Sequence, residues 1–243
     1  TGSALLKDNA GKNINFSPLS LYYALAVAST GAGGDTRGQM LDLLGASDSE
    51  YLSVQCKNLY NNLYKDNEIG KIKIANSVWM DNDMNGEPIK FKDSFVENAA
   101  RNFYATSHSV DFSEKATGKA MAAWLSDNTG GKLSSVPDIR PDQILSIINT
   151  VYLYDEWKDR FDKEKTAEGV FRLSDGKEVK CDFMNRTYSS HGFSKGEGFI
   201  RSSLSLKNAG RMIFILPDEG VEISELLSSP ERMREAFEGG ERR

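Results

Sequence analysis

The chain has 243 residues, with 30 Lys and Arg against 35 Asp and Glu, a formal net charge of −5. That length buries a proper core in one large domain or two small ones. Charged residues at 27% and aromatics at 10% exclude a disordered composition. No apolar run approaches the ~20 residues that span a bilayer, so a soluble chain is expected. The mild acidity argues against a nucleic-acid surface, which needs a basic stripe.

The predicted elements begin at Ser17-Pro18, an N-cap followed by Pro at the first helical position. Leu19 to Thr30 is almost wholly apolar or small, as in a helix buried on all sides. Gly31 stops it, and Asp35 or Thr36 caps a second helix ending at Leu44-Gly45. Residues 49–65 carry Leu52, Cys56, Leu59, Tyr60, Leu63 and Tyr64 on one helical face. Residues 71–80 alternate and then turn continuously apolar, as a strand entering a core does. Phe91, Phe95, Val96, Ala99 and Phe103 mark another amphipathic helix. Val110-Asp111-Phe112 reads as a short strand, and 114–126 as a helix closed by Gly130-Gly131.

Ile144 to Tyr154 is long, apolar and β-branched, which suits a central strand buried on both faces. Hairpins are predicted around Ser174-Asp175-Gly176-Lys177 and around Asn208-Ala209-Gly210. Ile223–Leu227 and Arg232–Phe237 read as helical. Helices come first and strands mostly later, so the class is α+β. With no repeat, low-complexity tract or linker, one intertwined domain over 1–243 is expected.

Sites of chemistry are sparse. Cys56 and Cys181 make no disulfide framework and are expected as buried or free thiols. Thr1-Gly2-Ser3-Ala4 lacks the charged and apolar regions of a leader, so a signal peptide is expected to be absent or removed. Gly192-Phe193-Ser194-Lys195-Gly196 matches G-x-S-x-G, but a hairpin follows it instead of a helix and no His lies downstream. A hydrolase using Ser194 is the alternative from another functional class. His108 and His191 have no partner spacing for zinc, so no metal is expected. The loop 31–36 lacks G-x-G-x-x-G, and no phosphate-binding G-x-x-x-x-G-K motif occurs, so no cofactor is expected. Lys57, Lys65, Lys71 and Lys73 sit among Asp66 and Glu68, a solvated mixed face. Sequons at Asn15-Phe16-Ser17 and Asn185-Arg186-Thr187 add no useful clue.

Along its whole length the chain resembles a serpin. Asn13-Ile14-Asn15-Phe16-Ser17-Pro18-Leu19-Ser20-Leu21 is similar to the start of that family's helix B. Gly31-Ala32-Gly33-Gly34-Asp35-Thr36-Arg37-Gly38-Gln39 is similar to its G-A-x-G-x-T-x-x-Q segment. Ala75-Asn76-Ser77-Val78-Trp79 resembles the second strand of the large sheet, Val110-Asp111-Phe112 the start of the next, and Trp124 to Leu133 the end of helix F. Asn149-Thr150-Val151-Tyr152-Leu153, followed by Trp157 and Phe161, is the most specific match. Thr166, Phe171, Met184 and Ile215-Leu216-Pro217 fall where the family has equivalents.

The resemblance implies a serpin-like fold, with N-terminal helices packed on a large mixed sheet and strands of a second and third sheet. It implies a suicide inhibitor of serine or cysteine proteases, whose cleaved reactive-centre loop inserts as a new strand. By the family pattern Ser17, Ser20 and Asn149 are shutter residues under the sheet, and Trp157 is the breach residue where insertion begins. Catalytic residues are not expected. A target protease is the implied partner, with a monomer outside the cell and no nucleic acid or membrane span. The reactive-centre bond, the hinge, the shutter's histidine and the C-terminal core strands are expected beyond Arg243, so this chain alone is expected to be inactive. Arg201 to Ala209 departs from the family's more apolar E-L-P-Y-like stretch. The other reading on the same fold is a non-inhibitory binding or chaperone protein.

Overall fold

The structure, a computed structural model, describes residues 6, 13–84, 86–173, 175–189 and 191–242. The leader expectation at Thr1-Gly2-Ser3-Ala4 and the residues Ser174, Ser190 and Arg243 lie outside these. The chain divides into two compact units, Ser17–Tyr154 and Asp155–Arg243 with Thr1–Phe16.

In the first unit, helix α1 spans Pro18–Gly31, started by the Ser17 cap and Pro18. It is not buried all round: Tyr23, Ala26, Val27 and Ser29 are buried and the other turns are mostly half-exposed. Helix α2 (Gly34–Leu44) starts one residue before the expected caps. Gly33 holds the extended N-cap position, and Asp35 falls inside the first turn, where its charge favours the helix dipole. Gly45, at φ 65°, ends the helix as expected. Helix α3 (Ser49–Leu63) is capped by Asp48, whose Oδ1 accepts from the Tyr51 N–H at 2.7 Å.

A short strand β1 (Lys65–Asp66) pairs with the start of β2 (Lys71–Asp81). The two-residue strands β3 (Asp83–Met84) and β4 (Glu87–Pro88) form a small ribbon. Helix α4 (Asp93–Phe103) turns its apolar face inward through Phe95, Ala99 and Phe103. It leads to β5 (Ala105–Val110), parallel to β2. The expected strand at Val110-Asp111-Phe112 is therefore moved: only Val110 belongs to it. The polar run Thr106-Ser107-His108-Ser109 is held extended by its ladder to β2 and hides the strand from a hydrophobicity pattern. Helix α5 (Lys115–Asn128) follows, then β6 (Leu145–Tyr154).

β6 runs antiparallel to β2 over Leu145 to Tyr154 and pairs with nothing else among the described residues. The expectation of a central strand buried on both faces is corrected here. Among the described residues only Thr150 is buried along β6, and Leu153 and Tyr154 are exposed. The core of the unit joins Tyr23 and Val27 of α1 to Leu52 and Cys56 of α3, Val78 and Met80 of β2, and Phe95 and Phe103 of α4.

In the second unit, β7 (Ala167–Arg172) and β8 (Glu178–Phe183) form the first expected hairpin. A four-stranded sheet has the order β11 (Arg211–Pro217), β10 (Phe199–Ser205), β9 (Phe193–Gly196), β12 (Glu241–Arg242). Helices α6 (Ile223–Leu226) and α7 (Pro230–Glu238) close Leu226 and Ala236 over Phe199, which is fully buried. Helices with several sheets make the class α+β.

Candidate functional site

Asn76 and Asn149 stand opposite each other in the β2–β6 ladder. The Asn149 amide Nδ2 donates to Asn76 Oδ1 at 2.7 Å. Asn76 Nδ2 in turn donates to the carbonyl of Phe103, at the end of α4, at 2.6 Å. One side-chain chain thus ties the edge strand through the central strand to a helix end. Asn76 is only 2% exposed, in an otherwise apolar stretch of β2. The donors are amide nitrogens, so the chain carries no charge and its geometry is set by shape alone.

The same place holds two unsatisfied atoms. Asn149 Oδ1 and Thr150 Oγ1 are buried and have no hydrogen-bond partner among the described residues. Each such orphan costs about 1–3 kcal/mol, so natural structures hold few of them.

Ser17 and Ser20 lie at the foot of α1, which packs on β6. The Ser17 hydroxyl accepts from the Ser20 backbone N–H at 3.1 Å. This is an N-cap, worth about 1 kcal/mol in general. Among the described residues no hydrogen bond joins either serine to Asn149. The expected set Ser17, Ser20, Asn149 is therefore in one unit, but the partner that Asn149 does find is Asn76. Sequence reasoning placed Asn76 in a strand and gave it no role. The signal was available: a lone amide inside an apolar strand needs a partner when buried.

Trp157 belongs to the second unit. It forms an isolated antiparallel bridge with Leu206 and meets Phe161 edge-on at 5.9 Å and Phe214 at 6.5 Å. Asp155 pins the facing turn by accepting from the Asn208 and Ala209 N–H groups at 2.8 and 2.6 Å. Burial alone would raise the Asp155 pKa, but the N–H groups of Asn208, Glu156 and Ala209 outweigh it and hold the carboxyl below its ordinary value.

The two histidines lie in separate settings. His108 stacks on Trp79 at 4.0 Å, and burial lowers its pKa. Its Nε2 lies 3.1 Å from Thr106 Oγ1, which also accepts from the Trp124 indole N–H at 3.2 Å. His191 lies 2.7 Å from the Ser202 hydroxyl and stacks on Tyr188. Ser194 sits inside β9, and its hydroxyl accepts from Arg201 at 3.2 Å. A two-residue connection and then β10 follow, so the strand-to-helix turn that exposes a nucleophile is not formed here. Gly196 has a packing reason instead: a Cβ there would overlap the Phe199 ring. Among the described residues no group of three or more His, Cys, Asp or Glu is arranged to hold a metal, and no helix is long and apolar enough to cross a membrane.

Comparison with known proteins covers nearly the whole chain. A family model described as "Serpin (serine protease inhibitor)" matches residues 2–238. Serpin-ZXA of Oryza sativa subsp. japonica is 33% identical over 185 residues, covering 72% of this chain and 46% of that protein. Serpin-ZX of Arabidopsis thaliana is 28% identical over 228 residues, covering 88% and 57%. The chain spans about half the length of the curated relatives it matches. Among solved structures, Arabidopsis AtSerpin1 in its native stressed conformation superposes with TM-score 0.79 at 26% identity, covering 93% of this chain and 61% of that one. The thermophilic serpin tengpin in the native state gives TM-score 0.81 at 23% identity, covering 97% and 62%.

Proposed function

The chain belongs to the serpin family, and from that premise we propose that it is the N-terminal and central part of a protease inhibitor acting by loop insertion. The observation that supports this reading is the uncharged Asn149–Asn76–Phe103 chain on the sheet of a chain that matches the family over residues 2–238.

In this reading residues 1–243 belong to one serpin-like domain. Ser17, Ser20 and Asn149 act as the shutter, and Asn76 joins them. The orphaned Asn149 Oδ1 and Thr150 Oγ1 support that role: a polar cluster left partly unsatisfied in one arrangement can be satisfied in another, which is the property of a switch. Trp157 is the breach residue, held by Leu206 and by the aromatic rings of Phe161 and Phe214. The complete protein is an extracellular monomer, its partner a serine or cysteine protease, and its activity not enzymatic.

The test is to incubate the full-length protein with a panel of serine and cysteine proteases. A covalent complex that survives SDS is the expected result. Simple digestion by every protease in the panel overturns the reading.

A further inference from the structure

The sheet of the second unit holds a cavity of about 390 Å³ beside the C-terminal end of α7. Its wall includes Ser194, Arg201, Ser203 and Arg211 from the strands, with Phe237 and Glu238 from the helix. Alternation along β10 puts Phe199, Arg201 and Ser203 on one face of the sheet. Phe199 is core, so this single face passes from apolar to polar within two residues. Arg211 stands opposite Ser205 and Arg201 opposite Ser194. The two arginines are thus four positions apart along the ladder, roughly 13 Å, and border the same cavity from its two ends.

Arg201 is half-buried, yet among the described residues its guanidinium donates only to neutral oxygens, the Ala236 carbonyl at 3.3 Å and the Ser194 hydroxyl at 3.2 Å. Among the described residues neither Arg201 nor Arg211 takes part in an ion pair. The neighbouring Arg232 shows the ordinary arrangement: 23% exposed, it pairs with both Glu197 and Glu235. A partly buried cation is normally paired, because taking it from water is costly. The remaining donors of a guanidinium form a planar fork that fits carboxylate and phosphate oxygens.

The geometry points to a binding site for a small organic oxyanion, a carboxylate or phosphate carrying an apolar body. Arg201 holds the anionic group, the Ser194 and Ser203 hydroxyls share its oxygens, Arg211 adds positive potential from the other end, and the Phe237 ring covers the body. Glu238 reduces the local charge without cancelling it, two guanidiniums standing against one carboxylate. Small-ligand pockets start near ~300 Å³, so the cavity takes more than a bare ion. The site is separate from protease inhibition and does not depend on it.

Titration calorimetry of the full-length protein at low salt tests this with four probes: phenyl phosphate, benzoate, inorganic phosphate and benzyl alcohol. Phenyl phosphate or benzoate should bind, the tighter one naming the anionic group, with inorganic phosphate weaker and benzyl alcohol silent. Arg201→Gln should weaken binding by at least about tenfold, the loss of one charged hydrogen-bonding group. Arg201 also supports α7 through Ala236, so Arg211→Gln, at an exposed position, is the second variant and should weaken binding without changing the unfolding midpoint. No binding of either aromatic anion, or binding unchanged in both variants, overturns the proposal.

Discussion

Asn149 gives its amide hydrogen to Asn76 at 2.7 Å, while its own oxygen, buried beside it, receives nothing from the described residues. The two residues are therefore unequal. Asn76 is bonded on both sides, by Asn149 and to the Phe103 carbonyl. Asn149 is bonded on one.

That inequality sets the order of two substitutions. Asn76→Ala strands the Phe103 carbonyl and the Asn149 amide together and should cost about 2–4 kcal/mol. Asn149→Ala removes one orphaned oxygen but takes the donor from the buried Asn76 Oδ1, and should cost less, about 1–2 kcal/mol. Urea unfolding of the two variants decides the ranking, and an Asn149→Ala effect larger than that of Asn76→Ala contradicts it. If the shutter proposal holds, Asn149→Ala in the full-length protein also polymerises more readily on native gels than the unmodified protein.

The two thiols should behave as opposites. Cys56 is buried, and burial pushes its pKa up to about 12, whereas Cys181 is exposed on β8. A thiol reagent applied to the native protein should modify Cys181 alone, and Cys56 should react only after denaturation. Rapid modification of both without denaturant counts against the buried placement of α3.

Stability should fall in alkali for the same reason. Burial raises the pKa of Cys56, and raises that of Tyr23 with a further contribution from Cys56. The unfolded chain releases these protons from roughly pH 8.5 and pH 10, while the folded chain keeps them. The folded state then binds more protons, so stability is full below about pH 8.5 and declines above it, by up to about 1.4 kcal/mol per pH unit for each group. Unfolding midpoints between about pH 8 and 11 measure the decline. Cys56→Ala should delay its onset.

Glycine 196 and glycine 169 offer a controlled pair. A Cβ at 196 overlaps the ring of Phe199, which is fully buried among Leu226 and Ala236. A Cβ at 169 falls 2.7 Å from the ring of Phe183, which is 38% exposed and free to turn outward. Gly196→Ala should cost about 1–3 kcal/mol and Gly169→Ala much less. Equal thermal shifts for the two would show that the Phe199 core yields as easily as the surface.

What could be read from residues alone follows physical lines. The start of α1 was legible because Ser17-Pro18 is a local signal that needs no tertiary contact. β2 was legible because its alternation and apolar run come from its own residues. β5 was not: Thr106, Ser107, His108 and Ser109 are extended only because β2 pairs with them. The exposure of β6 was misjudged because a β-branched run reports what a strand could bury, and the packing around it decides what it does bury. At the site, Ser17 and Asn149 could be singled out by resemblance. Asn76 was passed over because its role exists only through a register that brings position 76 to position 149.

That register has a consequence for the order of assembly. Asn76 and Phe103 are 27 residues apart, and the intervening α4 is the short crossover that brings β5 beside β2. Asn76 and Asn149 are 73 apart. Loop closure is costlier and slower for the longer separation, so the β2–β5 pair and the Asn76–Phe103 bond should form first. β6 then docks onto a strand that already has one neighbour, and a nascent chain emerging from the ribosome must keep the open side of β2 unpaired until residue 149 has been made.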